Sequence, residues 1–371
     1  MSLLEHLQSI PDPRVHRTRR HDLQALLVMA LCATIAGADN WVEVTQFAQA
    51  HQSWFARFVH LPAGVASHDT FARVFRLLDA QQLEKACQQW LQDMAGHVQG
   101  VVAIDGKSVR GSRKGNADNA LHLVSAWAAD MGVLLGQRKV DGKSNEIKAI
   151  PQLLQMLAIK GCIVTIDAMG CQKAIAQTIT DQGADYVLSL KGNQRHVHTV
   201  VKKHFRSLQA KEQEELPQYL EQSTGHGRKE WRQYTVCAVP AALQRAAAQW
   251  SQLQSVVQVV RKRQVGDTEP TEQVSYYLSS LAAHTPAQVL AHSIRAHWSV
   301  ENHLHWSLDV AMREDASQAY KDEAPHNLSL LRRMAQQILQ NDKSLKVGIQ
   351  AKRKRAGWDL GYLQRLITAA D

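Results

Sequence analysis

Two aspartates in this 371-residue chain each stand at the end of a short apolar run. Asp105 follows Val101-Val102-Ala103-Ile104, and Asp167 follows Cys162-Ile163-Val164-Thr165-Ile166. Runs of this length and composition read as buried strands. In an open sheet, ligands collect at the carboxyl ends of strands. Two carboxylates emerging there side by side repel each other unless a cation stands between them. Oxygen ligands suit Mg2+, with Mn2+ as a substitute, because such ions combine one or two carboxylates with substrate phosphates. A pair of ions so held can activate an attacking oxygen and stabilise a leaving one, the chemistry of phosphoryl transfer. Taken singly, each aspartate is equally a turn residue or a helix cap.

A third carboxylate is expected from a helix packed back on those strand ends. In Ile294-Arg295-Ala296-His297-Trp298-Ser299-Val300-Glu301-Asn302-His303-Leu304-His305-Trp306, spacings of four put His297, Glu301 and His305 on one face. The plain alternative is a histidine-rich helix packed under two tryptophans, with Glu301 paired to Arg295. A zinc site from His297 and His305 is weak. No HExxH occurs, and two helical turns separate the imidazoles by about 12 Å of rise, too far for one ion.

The elements around these residues predict how they meet. Val101–Ile104, Leu121–Ala129 and Val133–Val140 read as strands, the last two joined by the hairpin turn Asp130-Met131-Gly132. A helix over Ile147–Ile159, the strand ending on Asp167, a helix over Gln172–Thr180, a strand over Tyr186–Leu190 and a basic helix over His196–Leu208 follow. This order predicts an α/β fold, the ribonuclease-H-like layout in which helices cover a mixed sheet. Residues 97–209 form the first part of that core. Residues 210–283, with strand-like runs Tyr234–Val239, Ser255–Arg261 and Gln273–Leu278, read as a β-rich insertion. Residues 284–371 complete the core with a long helix from about Pro286 to Leu308, a second over His326–Leu339 and a basic tail.

Residues 1–96 read as a small all-helical N-terminal domain. Apolar residues there recur at spacings of three and four, and Ser67 or Asp69 is a credible N-cap. DNA binding, dimerisation and a scaffold role all fit such a module. Within it, Leu23–Ala38 imitates a signal peptide, because it is apolar and follows Arg17, Arg19 and Arg20. Its leader carries Glu5, Asp12 and Asp22, however, and the run falls short of the ~20 residues a bilayer span needs. It reads as a buried core helix in a cytoplasmic protein with no membrane partner.

Lys and Arg number 43 against 34 Asp and Glu, a formal charge of +9. That balance favours a polyanionic partner, since clustered cations release counterions from a phosphate backbone. A basic enzyme without a polymer partner is the plain alternative. The five cysteines are scattered and form no CxxC pair, which argues against a disulfide framework or a Cys-rich zinc site.

Several longer strings join the aspartates and the glutamate. They are Ala103-Ile104-Asp105-Gly106-Lys107, Thr165-Ile166-Asp167-Ala168-Met169-Gly170-Cys171-Gln172-Lys173, Asp185-Tyr186-Val187-Leu188-Ser189-Leu190-Lys191-Gly192-Asn193-Gln194, Gly225-His226-Gly227-Arg228, His297-Trp298-Ser299-Val300-Glu301-Asn302 and Leu304-His305-Trp306-Ser307-Leu308-Asp309-Val310. In this order they resemble the H-repeat-associated insertion-sequence transposases of bacteria, of the DDE type. The resemblance runs essentially end to end, as far as Ala356-Gly357-Trp358-Asp359.

The resemblance implies a ribonuclease-H-like catalytic domain, Mg2+ (two ions) held by Asp105, Asp167 and Glu301, and double-stranded DNA as substrate. The DNA comprises the terminal inverted repeats of a mobile element and the target DNA. A homodimer on DNA and association with the nucleoid are expected. In the implied reaction the element end is cut and its 3′-hydroxyl then attacks target DNA. A nuclease that cuts without joining, or an inactive DNA-binding relic, are the alternatives. The wider related group surrounds its glutamate with Tyr seven before, Arg four before and Lys seven after; here those positions are Ile294, His297 and Leu308. Substitutes for holding phosphates are His297, Arg295 and Lys107. Further candidate DNA contacts are Lys191, Asn193, Arg228, Trp231 (as a base-stacking aromatic) and the run Lys352-Arg353-Lys354-Arg355.

Overall fold

A computed structural model describes residues 3–113, 120–140, 145–225 and 227–368. His226, in one of the strings above, lies outside them. The chain builds one nine-stranded mixed sheet. Its strands are β1 (Val101–Val109), β2 (Leu121–Ala128), β3 (Val133–Val140), β4 (Ile163–Ile166), β5 (Asp185–Leu190), β6 (Gln218–Gly225), β7 (Arg228–Ala238), β8 (Ser255–Val265) and β9 (Thr271–Ser279). Their spatial order is β3-β2-β1-β4-β5-β9-β8-β7-β6. The β1–β4 and β4–β5 pairs are parallel and every other pair is antiparallel.

Period-two alternation assigns each strand residue to a face. Val102, Ile104, Val164 and Ile166 pack with helices Glu146–Gln155, Lys173–Asp181 and Arg195–Ser207. Ala103, one residue out of phase, packs on the opposite side against Val300, Leu304 and Leu308. Asp105 shares the parity of Ala103 and so faces the helical rod that carries Glu301.

The sheet does not stop where the insertion begins. β9 pairs with β5 through Val187↔Ser279 to Leu190↔Tyr276, so the insertion strands prolong the same sheet. Four strands stand where three were expected. β6 was illegible because its residues are mostly exposed and polar, leaving no apolar pattern.

The N-terminal helices share one core with the far end of the chain. Helix Leu23–Ile35 is buried almost throughout, as its composition predicted. It packs with helix Ala324–Asn341 and with Ile349–Trp358 and Leu360–Thr368, in the core that also takes the rear of the Glu301 rod. Ser67 caps helix His68–Leu77 through the Thr70 amide. The expected basic tail is therefore two packed helices. Among the described residues no helix is long and apolar enough to cross a membrane.

Candidate active site

Asp105 does not end its strand. β1 runs on to Val109, and Asp105 remains paired with Ser125 of β2. What ends at Ile104 is the pairing with β4, whose last residue, Ile166, is the register partner of Ile104. Beyond that pair the two chains part. Asp167 leaves β4 and turns back, its Oδ1 accepting the amides of Met169 (3.0 Å) and Gly170 (3.3 Å). Both aspartates thus stand at the mouth of one opening between neighbouring strands.

The third carboxylate arrives on a helical rod of three parts, Ala287–Ser299, Val300–His305 and Trp306–Val310. The middle part is π-helical, and such widened turns recur at functional sites. Val300, Leu304 and Leu308 bury the rod's rear face, leaving Glu301 exposed on the other. Glu301, Asp105 and Asp167 line one cavity of about 310 Å³, together with Thr165, Lys191 and His297.

The electrostatics of this cavity are those of crowded negative charge. Burial, joined by the nearby charges of Asp167, Glu146 and Glu301, pushes the Asp105 carboxyl up to about 7; the Gly106 amide opposes them. His297, with Nδ1 3.2 Å from the Thr165 hydroxyl, is held below its ordinary value by burial despite Asp167. His305 Nδ1 lies 3.4 Å from Asp105 Oδ2. Burial, aided by Arg333 and Lys107, pushes it down to about 3. Both imidazoles are therefore neutral at pH 7, and neither offsets the carboxylates. Among the described residues no group of three His, Cys, Asp or Glu side chains is drawn tight enough to hold an ion. The donor set is nonetheless all oxygen, and its mutual repulsion is what a hard cation relieves.

Other expected residues divide. Lys191 lines the cavity rim and is exposed. Asn193 donates to the Ala168 carbonyl and steadies the Asp167 turn. Arg228 and Arg295, with Arg232 and Arg261, line a groove of about 420 Å³ between the insertion strands and helix Ala287–Ser299. That groove shares Tyr277, Ile294 and Trp298 with the carboxylate cavity, so the two are continuous. Arg295 approaches Glu221 (3.7 Å), so its ion-pair partner is Glu221 and not Glu301.

Three expectations are revised. Lys107 is buried and bonds Asp309 Oδ1 at 2.6 Å; it braces β1 against the rod's end and is not turned toward a phosphate. Lys352 and Arg353 are also buried. Lys352 Nζ donates to the Leu339 carbonyl (2.9 Å), and Arg353 clasps Thr34, Ala311 and Asp39. Helix Ile349–Trp358 turns these two inward, leaving Lys354 and Arg355 exposed, the latter paired with Asp359. Trp231, third, is opposite in parity to Glu230, Arg232 and Tyr234. It therefore lies across the sheet from the arginine groove, half-buried in a hollow with Leu220, Val260 and Pro270.

Sequence reasoning missed a fourth carboxylate. Buried Glu146 takes His122 Nε2 at 2.6 Å, and the Ser108 hydroxyl meets His122 Nδ1 at 2.8 Å. Glu146 reaches this place across Gly106, where a Cβ would come within 2.6 Å of its Oε1. Only the glycine beside Asp105 hinted at such an approach.

Known proteins resemble this chain over most of its length. The family model described as "Transposase DDE domain" matches residues 96–338, and that described as "DDE_Tnp_1-associated" matches residues 4–91. The chain is 38% identical to the "Putative transposase YncI" of Escherichia coli O157:H7, over 99% of this chain and 95% of the other. It is 37% identical to the "H repeat-associated putative transposase YhhI" of Escherichia coli K12, over 99% and 98%. Among solved structures, the piggyBac transposase synaptic complex with hairpin DNA aligns over 98% of this chain and 76% of that one. Its TM-score of 0.48 at 9% identity is too distant to carry an argument.

Proposed function

Because the chain belongs to the family of transposases with a DDE domain, we propose that it cuts DNA at the ends of a mobile element and joins the freed 3′ ends to target DNA. The observation that carries this reading is the convergence of Asp105, Asp167 and Glu301, from three separate elements, on one cavity continuous with an arginine-lined groove. We read the core as ribonuclease-H-like. The order β3-β2-β1-β4-β5, antiparallel through β1 and parallel beyond it, supports that reading.

In the proposed reaction, water attacks a phosphodiester at the element end and the bond to the 3′ oxygen breaks. The released 3′-hydroxyl then attacks a phosphodiester of the target. Asp105, Asp167 and Glu301 would hold Mg2+, which supplies positive charge where negative charge develops on the attacked phosphate. Arg228, Arg261 and Arg295 line the path of the strand and offset its phosphates, while exposed Lys191 does so at the cavity rim. The neutral His297 bonds Thr165 and fixes the rod against β4. A homodimer bridging two element ends is the assembly such joining calls for.

The test is incubation of the purified protein with Mg2+ and duplexes carrying the element's own ends. Cleaved and joined products are expected. Cleavage without joining would return the protein to the nucleases, and binding without cleavage to the inactive relics.

A further inference from the structure

A second cavity, of about 490 Å³, opens between the N-terminal helices and the segment that follows the rod. It shares no lining residue with the carboxylate cavity. Arg332, on helix Ala324–Asn341, lines it. Only 4% of that residue is exposed, and among the described residues its guanidinium has no hydrogen-bond or ion-pair partner. A buried guanidinium whose N–H donors are unused is costly and calls for an acceptor.

The acids around the cavity are already committed elsewhere. Asp39 accepts Arg353 (3.1 Å) and Arg313 (3.5 Å). Glu43 accepts the Asp39 amide and the Asn40 side chain, as in a helix cap. Asp322 is taken by Arg76 (2.7 Å). Glu314, which is buried, and Asp39 act on Arg332 through their charge, but neither bonds its N–H donors, which, seconded by exposed Lys321 at the rim, stay open to an anion. The rest of the wall is largely apolar, with Trp41, Val44 and Leu331. A ligand for this space therefore joins an anionic group to a flat apolar body, and the volume lies in the range of small-molecule sites.

We propose that this cavity binds a nucleotide, its phosphate on Arg332 and its base against the wall that includes Trp41. The site stands apart from the proposed catalytic centre and does not depend on it. A free nucleotide and a unit of a DNA strand carry the same chemistry.

Calorimetry of the full-length protein with deoxyadenosine 5′-monophosphate, and separately with inorganic phosphate, tests the site. Saturable binding of the nucleotide is expected, tighter than that of phosphate. It should weaken at least tenfold in Arg332→Met and persist in Asp105→Asn. Ala319→Leu, which narrows the cavity from a surface segment without touching the charge, should weaken it too, and serves if Arg332→Met does not fold. A duplex titration separates the sources. If DNA supplies the phosphate, Arg332→Met also lowers duplex affinity and flattens its salt slope by about one unit. If a free nucleotide does, duplex affinity is unchanged. No saturable nucleotide binding by the wild type, or equal binding by the wild type and both variants, overturns the proposal.

Discussion

Ile104 and Ile166 face each other as register partners on adjacent parallel strands, and each is followed directly by an aspartate. Because the strands run the same way, equal register delivers both carboxylates to the same edge of the same opening. A slip of one residue would turn one carboxylate to the far face of the sheet, among Val102 and Val164. The apolar residues before each aspartate thus position the carboxylates as much as they fill the core.

Charge-removing, shape-keeping changes test the triad. Asp105→Asn, Asp167→Asn and Glu301→Gln should each abolish Mg2+-dependent cleavage while the fold and duplex binding are kept. One variant that retained near-normal cleavage in a gel assay would remove its residue from the site.

Asp105 makes the metal-free protein pH-sensitive. Its carboxyl titrates near 3.8 when unfolded and is pushed up to about 7 in the fold. Between those values the folded state holds the extra proton, so stability falls as pH rises through the window and levels off above it. Buried Glu314 works in the opposite sense: burial would raise it, but Arg333 and Lys107 hold it below 4.5, so its loss begins only under that pH. Thermal melts without metal should show the downward trend toward pH 7. Mg2+ should restore stability most above it, and Asp105→Asn should flatten both effects. An Asn variant with the wild-type pH profile and Mg2+ response would assign them elsewhere.

The cationic run near the C-terminus should split into two behaviours. Arg353→Ala empties a buried clasp on Thr34 and Asp39 and should lower stability by about 3–5 kcal/mol. Lys354→Ala with Arg355→Ala, on the exposed side, should change stability by no more than about 0.5 kcal/mol per site. If those two touch phosphates, the double variant also flattens the salt slope of DNA binding by about two units. Denaturant melts and salt titrations read the two effects independently.

Two tryptophans should likewise part company. Trp298 is 53% exposed where the arginine groove meets the carboxylate cavity. Trp298→Ala should keep thermal stability yet weaken binding of single-stranded ends by about 1–3 kcal/mol, the scale of one base stacked on an aromatic ring. Trp231→Ala, across the sheet, should leave cleavage and binding near wild type and cost stability instead. Loss of cleavage in Trp231→Ala at unchanged stability would restore the expected base-stacking role.

Much of the core was legible because its signals are local. Short apolar runs of Val, Ile and Leu gave β1, β4 and β5, and spacings of three and four gave the N-terminal helices. Asp105 and Asp167 drew attention because each stands beside such a run, and Glu301 because of the His- and Trp-rich helix around it. What stayed hidden depends on long-range pairing. Nothing near Glu146 marks it as a neighbour of Asp105, and Lys107 reads as a free cation until Asp309, 202 residues on, is seen to neutralise it. Helix Ile349–Trp358 escaped notice because its cations, two of them turned inward, erase the apolar stripe that would announce a helix.

The clasp of Arg353 on Thr34 and Asp39 spans more than three hundred residues and sets a timetable for the nascent chain. At about 5–20 residues per second, a ribosome needs on the order of tens of seconds to travel from one partner to the other. Until it ends Leu23–Ile35 lacks the last of the helices that cover it, and the rod bearing Glu301, once made, has no finished surface to rest on. A polypeptide still being translated therefore completes the core behind the Glu301 rod only with its final helices.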